Sequence, residues 1–199
     1  MPSSLVHVAV AELLAIRVEN LRLLPRVPRA YRVAPAGEGD VEQLEELFGD
    51  PAKVRELLAA GDTCLTASSD DRIEAAEWIR WGPSSYRRDE GRLGTVFEIP
   101  AGQAWLHNGM NRSQGALGPW GILMGRLRSY VESAGVEVLV LQVDANADYS
   151  LRCHRSLGFR QVGRLVCCRL LGTPFAARRE VGGRWRSVGK RAVDVGRLM

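Results

Sequence analysis

The chain has 199 residues, of which 46% are hydrophobic and 25% are charged, and its formal net charge is +4. This composition excludes an intrinsically disordered chain, and the length fits one folded domain. No apolar run approaches the ~20 residues that a membrane-spanning helix requires, so we expect a soluble, cytoplasmic protein. The four cysteines form no C-x-x-C pair, which argues against a metal site and indicates free thiols.

The first predicted element is an amphipathic helix over residues 5–24, with a serine as its N-cap. Glu12 and Glu19 interrupt its apolar part and no basic leader precedes it, which argues against a secretory signal. Prolines at 25–29 then predict a linker. We therefore place residues 1–30 in an N-terminal helical extension outside the main domain. Such a helix would dock on the domain or exchange with a second copy, and a homodimer is left open.

The main domain is predicted over residues 31–172, and a basic tail over 173–199 follows it. Apolar periodicity and turn residues predict the order strand, two helices, three strands, helix, strand, helix, strands. Residues 82–94 are polar and rich in turn formers, so we predict a loop there. The run 136–143 is continuously apolar, which is typical of a strand covered on both faces. This order predicts an α+β fold with a mixed, mostly antiparallel central sheet flanked by helices.

A loop of small residues, RSQGALG at 112–118, opens directly into a predicted helix. The first turn of a helix presents free N–H groups and a partial positive charge, which suit a phosphate. Small side chains let that backbone approach a ligand closely. The loop lacks the G-K-[ST] ending of a Walker A motif and the glycine spacing of a Rossmann fingerprint.

A second segment, VDANADYSLRCHRSLGF at 143–159, places an asparagine after a buried strand and ends its helix in Leu-Gly-Phe. In this order the two segments resemble the GNAT superfamily of acyl-CoA-dependent N-acyltransferases. The superfamily's loop pattern [Q/R]-x-x-G-x-[G/A] corresponds to Arg112, Gly115 and Leu117. The resemblance covers residues 31–171, with two departures in the loop: Leu117 replaces a small residue, and Pro119 removes a donor.

The resemblance implies a GNAT-like fold and direct transfer of an acyl group from acetyl-CoA, or another acyl-CoA, to an amine of a small molecule or peptide. It implies that loop amides bind the coenzyme A pyrophosphate, while a strand edge and the asparagine contact its pantetheine arm. The coenzyme-binding residues implied in this way are Asn108, Met110, Arg112, Gln114, Gly115, Ala116, Leu117, Gly118 and Asn146.

His154 occupies the position where the superfamily often has the tyrosine that protonates the leaving thiolate. Its imidazolium would be a competent acid near neutral pH, whereas a packed helix residue is the alternative. For the base, strand alternation places Glu77 on the more apolar face, where its pKa would be raised. Glu98 is an equal candidate, because it lies nearer the strand that often carries the base in the superfamily. A chain of waters is the third alternative.

Four tryptophans are candidates for either the core or an apolar acceptor pocket: Trp78, Trp81, Trp105 and Trp120. Three other functions remain open at this stage. One is a non-catalytic acyl-CoA-binding module, which Leu117, Pro119 and the missing tyrosine suggest. Another is an enzyme that uses a long-chain or carrier-protein-bound acyl donor. The third is binding through the arginine-rich tail, although we expect no nucleic acid partner.

Overall fold

The structure is a computed structural model that describes residues 6–22, 30–88, 95–112, 118–170, 173–188 and 193–194. Its strands are β1 (Val6–Arg17), β2 (Arg32–Pro35), β3 (Thr63–Ser69), β4 (Arg72–Trp81), β5 (Ser84–Arg88), β6 (Thr95–Ile99), β7 (Gln103–Asn111), β8 (Val138–Asp144), β9 (Arg160–Leu170), β10 (Thr173–Glu180), β11 (Arg186–Ser187) and β12 (Val193–Asp194). Its α-helices are α1 (Val41–Phe48), α2 (Pro51–Ala59), α3 (Gly118–Ser133) and α4 (Asp148–Ser156).

The described residues form a nine-stranded sheet in the order β11-β10-β9-β1-β8-β7-β4-β3-β2 and a three-stranded sheet in the order β12-β6-β5. In the larger sheet β7 and β8 run parallel, and every other neighbouring pair described is antiparallel. The prediction of a mixed, mostly antiparallel sheet flanked by helices is therefore confirmed.

Each face of the larger sheet is covered by a different layer, as the alternating side chains of β8 show. Leu139 and Leu141 pack in the cluster that contains residues of α3 and α4, and we call this side the α3 face. Val138 and Val140 pack with Tyr86 of β5 on the other side, which we call the β5 face. Because β8 is buried on both faces, its sequence is uninterrupted by polar residues until Gln142.

The prediction of an N-terminal helix is wrong, because residues 6–17 form β1 in the middle of the sheet, between β8 and β9. Leu13 packs on the β5 face and Leu14 on the α3 face, both without exposed area. A run buried on both faces carries apolar residues at every position, so its periodicity does not distinguish a strand from a helix. Glu12 is buried within this strand and accepts hydrogen bonds from Arg155 at 2.6 Å and Arg164 at 3.2 Å. Residues 6–17 thus belong to the sheet rather than to an extension outside it.

The predicted loop at 82–94 is also wrong in part, because Ser84–Arg88 is strand β5. Among the side chains of β5 that the structure describes, Tyr86 is buried, with 7% of its surface exposed. The break at 100–102 sends β6 into the second sheet and β7 into the first. The predicted tail begins as a paired strand, since β10 runs antiparallel to β9 along its whole length.

Helices α1 and α2 begin at Val41 and Pro51. Asp50 caps α2 by accepting a hydrogen bond from the backbone N–H of Lys53 at 3.0 Å, with Pro51 as the first helical residue. Asp40 does not cap α1; its carboxylate accepts from the backbone N–H of Gly37 instead. None of the helices described is both long and apolar enough to cross a membrane.

Candidate functional site

A cavity opens where the two parallel strands of the larger sheet diverge. Pairing of β7 with β8 ends at Leu106 and Leu141, although both strands continue beyond these residues. Over the continuation β7 remains paired with β4, and β8 remains paired with β1. The cavity has a volume of about 390 Å³ and receives residues from β4, β5, β7, β8, α3 and α4. The divergence of two strands therefore places several different elements around one space.

A β-bulge lies in β7 at the edge of this cavity. Ala76 of β4 pairs with Met110 and Trp78 pairs with His107, so two residues of β7, Asn108 and Gly109, lie opposite Glu77. Asn108 has a φ of 50°, in the left-handed region where asparagine is tolerated better than most residues. The bulge interrupts the ladder next to the point where β7 leaves β8.

Glu77 is buried against the bulge, with 4% of its surface exposed. Burial raises the pKa of its carboxyl from the ordinary value of 4.5 to about 8, although the hydrogen bond from Trp120 opposes this shift. That bond runs from the indole Nε1 to Oε2 of Glu77 over 2.9 Å. The predicted rise in the pKa of Glu77 is confirmed, and its cause is desolvation. A carboxylate with this pKa is a stronger base than an exposed one.

Gly109 leaves the space that the Glu77 carboxyl occupies, because a Cβ at position 109 would overlap Oε2 of Glu77. We expect Gly109→Ala to displace the carboxyl from Trp120 and to lower the free energy of unfolding by about 0.5–1.5 kcal/mol, the net contribution of the hydrogen bond that is lost. Urea denaturation measures this effect. Gly39→Ala is the matched control, since a Cβ there meets no atom within 4 Å.

The double variant Gly109→Ala/Glu77→Ala tests the cause of that loss. Removing the carboxyl should make the alanine at 109 nearly harmless, which would appear as a coupling energy between the two positions. If Gly109→Ala costs as much without the Glu77 carboxyl as with it, the overlap does not explain the effect.

His154 lies in the cavity wall on α4 and is 8% exposed. Its Nδ1 donates a hydrogen bond to the carbonyl oxygen of Ser150, 2.8 Å away. Its ring contacts the rings of Trp120 and Phe159 edge-on, with centroids 4.9 and 5.6 Å apart. Burial lowers the pKa of His154 below its ordinary value of 6.5. At neutral pH the imidazole is therefore mostly uncharged, and its Nε2 is a proton acceptor.

The two candidate proton-transfer residues have pKa values shifted in opposite directions. Glu77 acts as a base only when ionised, which requires a pH near or above 8. His154 acts as an acid only when protonated, which requires a pH below 6.5. At any one pH little of the protein has Glu77 ionised and His154 protonated together, so the two pKa shifts favour a role for one of these groups rather than for both.

Some of the other predicted residues line the cavity and others do not. Asn108 and Met110 line the cavity, and Met110 is 36% exposed. Asn146 is exposed in the turn before α4 and does not line the cavity, although Asp144 and Ala147 beside it do. Gly118 is the first residue of α3. Gln114, Gly115, Ala116 and Leu117 lie outside the described residues.

Arg112 and Glu98 do not reach the cavity. The guanidinium of Arg112 donates to the carbonyl oxygen of Ile73 at 2.8 Å and to Glu46 at 3.0 Å, which ties it to α1 and β4. Glu98 is exposed on β6, because the break after this strand places it in the second sheet. The geometry therefore does not support Glu98 as the base or Arg112 as a free phosphate ligand.

The tryptophans also divide between cavity and core. Trp105 and Trp120 line the cavity. Trp78 is fully buried beside α1 and α2, with its ring 6.1 Å from that of Phe48, and Trp81 packs on Tyr130. Only two of the four are therefore placed to contact a ligand in the space described.

A cluster on the β5 face was missed by the sequence analysis. Asp62 is buried and forms two hydrogen bonds with the guanidinium of Arg80, and its Oδ2 lies 3.2 Å from Nε2 of His107. Tyr86 covers His107, with ring centroids 4.6 Å apart. These residues come from the α2–β3 connection, β4, β5 and β7, and no local spacing in the sequence relates them.

No family model matches the sequence, and no curated protein matches it significantly. Comparison of the structure finds a GCN5-related N-acetyltransferase from Sphaerobacter thermophilus at 18% identity and a TM-score of 0.57, covering 82% of this chain and 52% of that one. A tandem GNAT protein from the clavulanic acid biosynthesis pathway aligns at 11% identity with a TM-score of 0.58, covering 83% and 55%.

A third neighbour, a GCN5-related N-acetyltransferase from Kribbella flavida, aligns at 16% identity with a TM-score of 0.53, covering 82% of this chain and 58% of that one. The chain thus spans little more than half the length of these proteins. Likeness at such low identity establishes the fold and not the substrate. By its strand order, its diverging parallel strands and these neighbours, the chain has the GNAT-like fold.

Proposed function

We propose that the protein is an N-acyltransferase that moves an acyl group, acetyl by default, from acyl-CoA to an amine by direct transfer. The observation that carries this proposal is the buried Glu77, set beside a β-bulge in a cavity between diverging parallel strands. The GNAT-like fold supports it, because structural neighbours of this fold are N-acetyltransferases.

The divergent strand edge offers a place for the pantetheine arm of the coenzyme. Beyond Leu106, β7 is no longer paired with β8. An extended ligand that carries amides can hydrogen-bond to such an edge as a further strand would. Asn108 and Met110 lie on this edge. The pyrophosphate would bind the N–H groups where α3 begins at Gly118, as helix N-termini bind anions.

In the proposed reaction the amine nitrogen attacks the carbonyl carbon of the thioester. A C–N bond forms, the C–S bond breaks, and coenzyme A leaves as a thiolate that then takes a proton. The Glu77 carboxylate accepts the proton that the amine nitrogen loses. Its apolar surroundings make it basic enough for this role, and Trp120 holds the carboxyl in one orientation through its hydrogen bond.

Two measurements test the proposal in sequence. Coenzyme A, acetyl-CoA and longer acyl-CoAs should each raise the melting temperature if they bind the folded state. Release of free thiol from acetyl-CoA should then depend on an added amine drawn from pooled candidates. Absence of any stabilisation by coenzyme A would refute the proposal. Stabilisation without thiol release would favour a non-catalytic acyl-CoA-binding module.

The acid role that the resemblance implies for His154 can be tested separately. His154→Phe preserves a flat ring between Trp120 and Phe159 but has no nitrogen. If His154 protonates the thiolate, this variant should lose turnover by about 10²-fold or more while acyl-CoA affinity is nearly unchanged. Equal losses in turnover and affinity, or retained turnover, would identify His154 as a packing residue.

A further inference from the structure

The buried carboxyl of Glu77 has few hydrogen-bond donors around it. An ionised carboxylate has about four acceptor sites, and each donor that occupies one favours the ionised form. Glu77 accepts one hydrogen bond, from Nε1 of Trp120 to Oε2 over 2.9 Å, and the described part of the chain supplies no second donor. Because Glu77 lines the cavity, its other oxygen, Oε1, is left for a bound molecule. The orientation and the charge of this carboxylate therefore depend on a single residue.

Trp120 is itself held in place by its surroundings. It is the third residue of α3, so its backbone belongs to the first turn of that helix. Its ring meets the ring of His154 on α4, with centroids 4.9 Å apart and an interplanar angle of 66°. The ring also packs against the core cluster on the α3 face. The indole N–H is thus directed at Glu77 before a ligand binds, which is the property of a preorganised donor.

The packing of α3 does not require an indole at position 120. Trp120 begins the apolar stripe of this helix, whose fully buried members include Leu123, Met124 and Leu127. Another large apolar side chain would continue this stripe equally well. The indole differs from such a side chain by its N–H group, and that group is the one that meets the carboxyl of Glu77. Position 120 therefore contributes to the site through a hydrogen-bond donor rather than through its volume.

Burial and the hydrogen bond from Trp120 act on the pKa of Glu77 in opposite directions, since burial raises it and the bond lowers it. On β3, burial and then the charge of Glu77 raise the pKa of the Cys64 thiol, which therefore stays neutral. On α4, burial lowers the pKa of His154 below 6.5. The other titratable side chains that line the cavity are Tyr86, His107, Asp144, Tyr149 and Cys153. Because several groups can change charge, a test must observe the carboxyl of Glu77 itself.

From these observations we infer that Trp120 is a positioning residue for the base: its N–H holds the Glu77 carboxylate in the ionised form and leaves Oε1 to accept the proton of the amine. This inference rests on the proposed function, and it adds the residue on which the base depends. During the step an N–H bond of the amine breaks and an O–H bond forms at Oε1, while Trp120 stays bonded to Oε2. Since hydrogen bonds to charged acceptors are the stronger ones, the ionised form gains more from Trp120 than the protonated form does. The donor thus exchanges some basicity for a larger ionised fraction near neutral pH.

The test follows the proton on Glu77 by NMR. In protein made with glutamate that carries carbon-13 in its side-chain carboxyl, the resonance absent from Glu77→Gln belongs to Glu77. We expect its titration midpoint near pH 8 in the unaltered protein and about one pH unit higher in Trp120→Phe, where the carboxylate has lost its donor. Trp81→Phe is the matched control and should leave the midpoint unchanged, since Nε1 of Trp81 donates a hydrogen bond of the same 2.9 Å to Thr63, away from the cavity. Incorporation of 3-benzothienylalanine at Trp120 replaces the N–H by sulfur in a ring of the same shape, so it should give the same shift with the packing preserved.

Acyl transfer gives a second readout. In Trp120→Phe the part of the rise in kcat/KM that is centred near pH 8 should move up by the same interval, so kcat/KM at pH 7 should fall about tenfold and the loss should be smaller at high pH. A packing defect would lower kcat/KM by one factor at every pH. An unshifted Glu77 midpoint in both donor-free variants, or an equal shift in Trp81→Phe, would overturn the inference alone. Thiol release that no amine stimulates would overturn the proposed function, and with it the role of Glu77 as a base, even if the midpoint shifts.

Discussion

Replacing Glu77 with glutamine is expected to lower kcat/KM for acyl transfer by about 10²–10⁴-fold, the usual contribution of a general base. Glutamine preserves the shape of the side chain and can still accept the hydrogen bond from Trp120, so acyl-CoA affinity should hardly change. Thiol release measures the first quantity and calorimetric titration of coenzyme A the second. Glu98→Gln is the matched control, since Glu98 is exposed and lies outside the cavity.

The pH dependence gives this prediction a second readout. Because the pKa of Glu77 is raised to about 8, kcat/KM of the unaltered protein should increase with pH and level off above 8. Glu77→Gln should lose the part of this increase that is centred near pH 8 and keep only the increase due to deprotonation of the amine substrate itself. A rate that falls between pH 6 and 8 would instead indicate an essential acid such as His154, and would contradict Glu77 as the base.

The same shift affects stability, with the opposite sign to that of a salt-bridged carboxylate. The folded state holds the Glu77 proton up to about pH 8, whereas the unfolded chain releases it near 4.5. Stability from this group is therefore complete below 4.5 and is lost as pH rises to about 8. Glu77→Gln should be more stable than the unaltered protein above pH 8, since it buries no charge. Urea denaturation at pH 5 and 9 distinguishes the two proteins.

The second large effect is expected in β1. Leu13→Ala and Leu14→Ala each remove a side chain with no exposed area, one from each face of the sheet. Each variant should lose about 2–5 kcal/mol of the free energy of unfolding. Val8→Ala, in the same strand but 56% exposed, should lose no more than about 0.5 kcal/mol.

Deletion of residues 1–17 tests the same placement of β1, with a larger expected loss of stability. A strand paired on both sides leaves two unsatisfied edges when it is removed, so the truncated chain should not fold cooperatively. Circular dichroism and urea denaturation would show this. A truncated protein that unfolds at the same urea concentration as the full chain would contradict the central placement of β1.

Elements with local signals could be predicted from the sequence. Asp50 and Pro51 mark the start of α2, and the turn at Ser69 joins the β3–β4 hairpin, because caps and turns depend on neighbouring residues. The raised pKa of Glu77 followed from strand alternation alone. The strand β1 could not be distinguished from a helix, because residues 11–16 are buried on both faces of the sheet and so lack the alternation of polar and apolar positions that indicates a strand.

The cavity depended on contacts between distant residues, which local patterns do not encode. Asp62, Tyr86 and His107 are brought together only when β5 folds over β7. The resemblance to a family pointed to β7, which lines the cavity, and to Arg112, whose guanidinium is bonded to Glu46 and Ile73 instead of facing the cavity. A motif position thus predicts where a backbone lies better than it predicts which atoms remain free.

The position of β1 also affects how the chain folds during synthesis. Its neighbours are translated much later, since Ile16 pairs with Leu139 and Ala15 with Arg160. Until β8 and β9 have left the ribosome, the stretch Leu13–Ile16 has no partner and exposes apolar side chains on both sides. Such delayed, non-local pairing is slow and leaves nascent chains prone to association. Newly made protein should therefore depend on a chaperone that shields its first strand, more than its modest size would suggest.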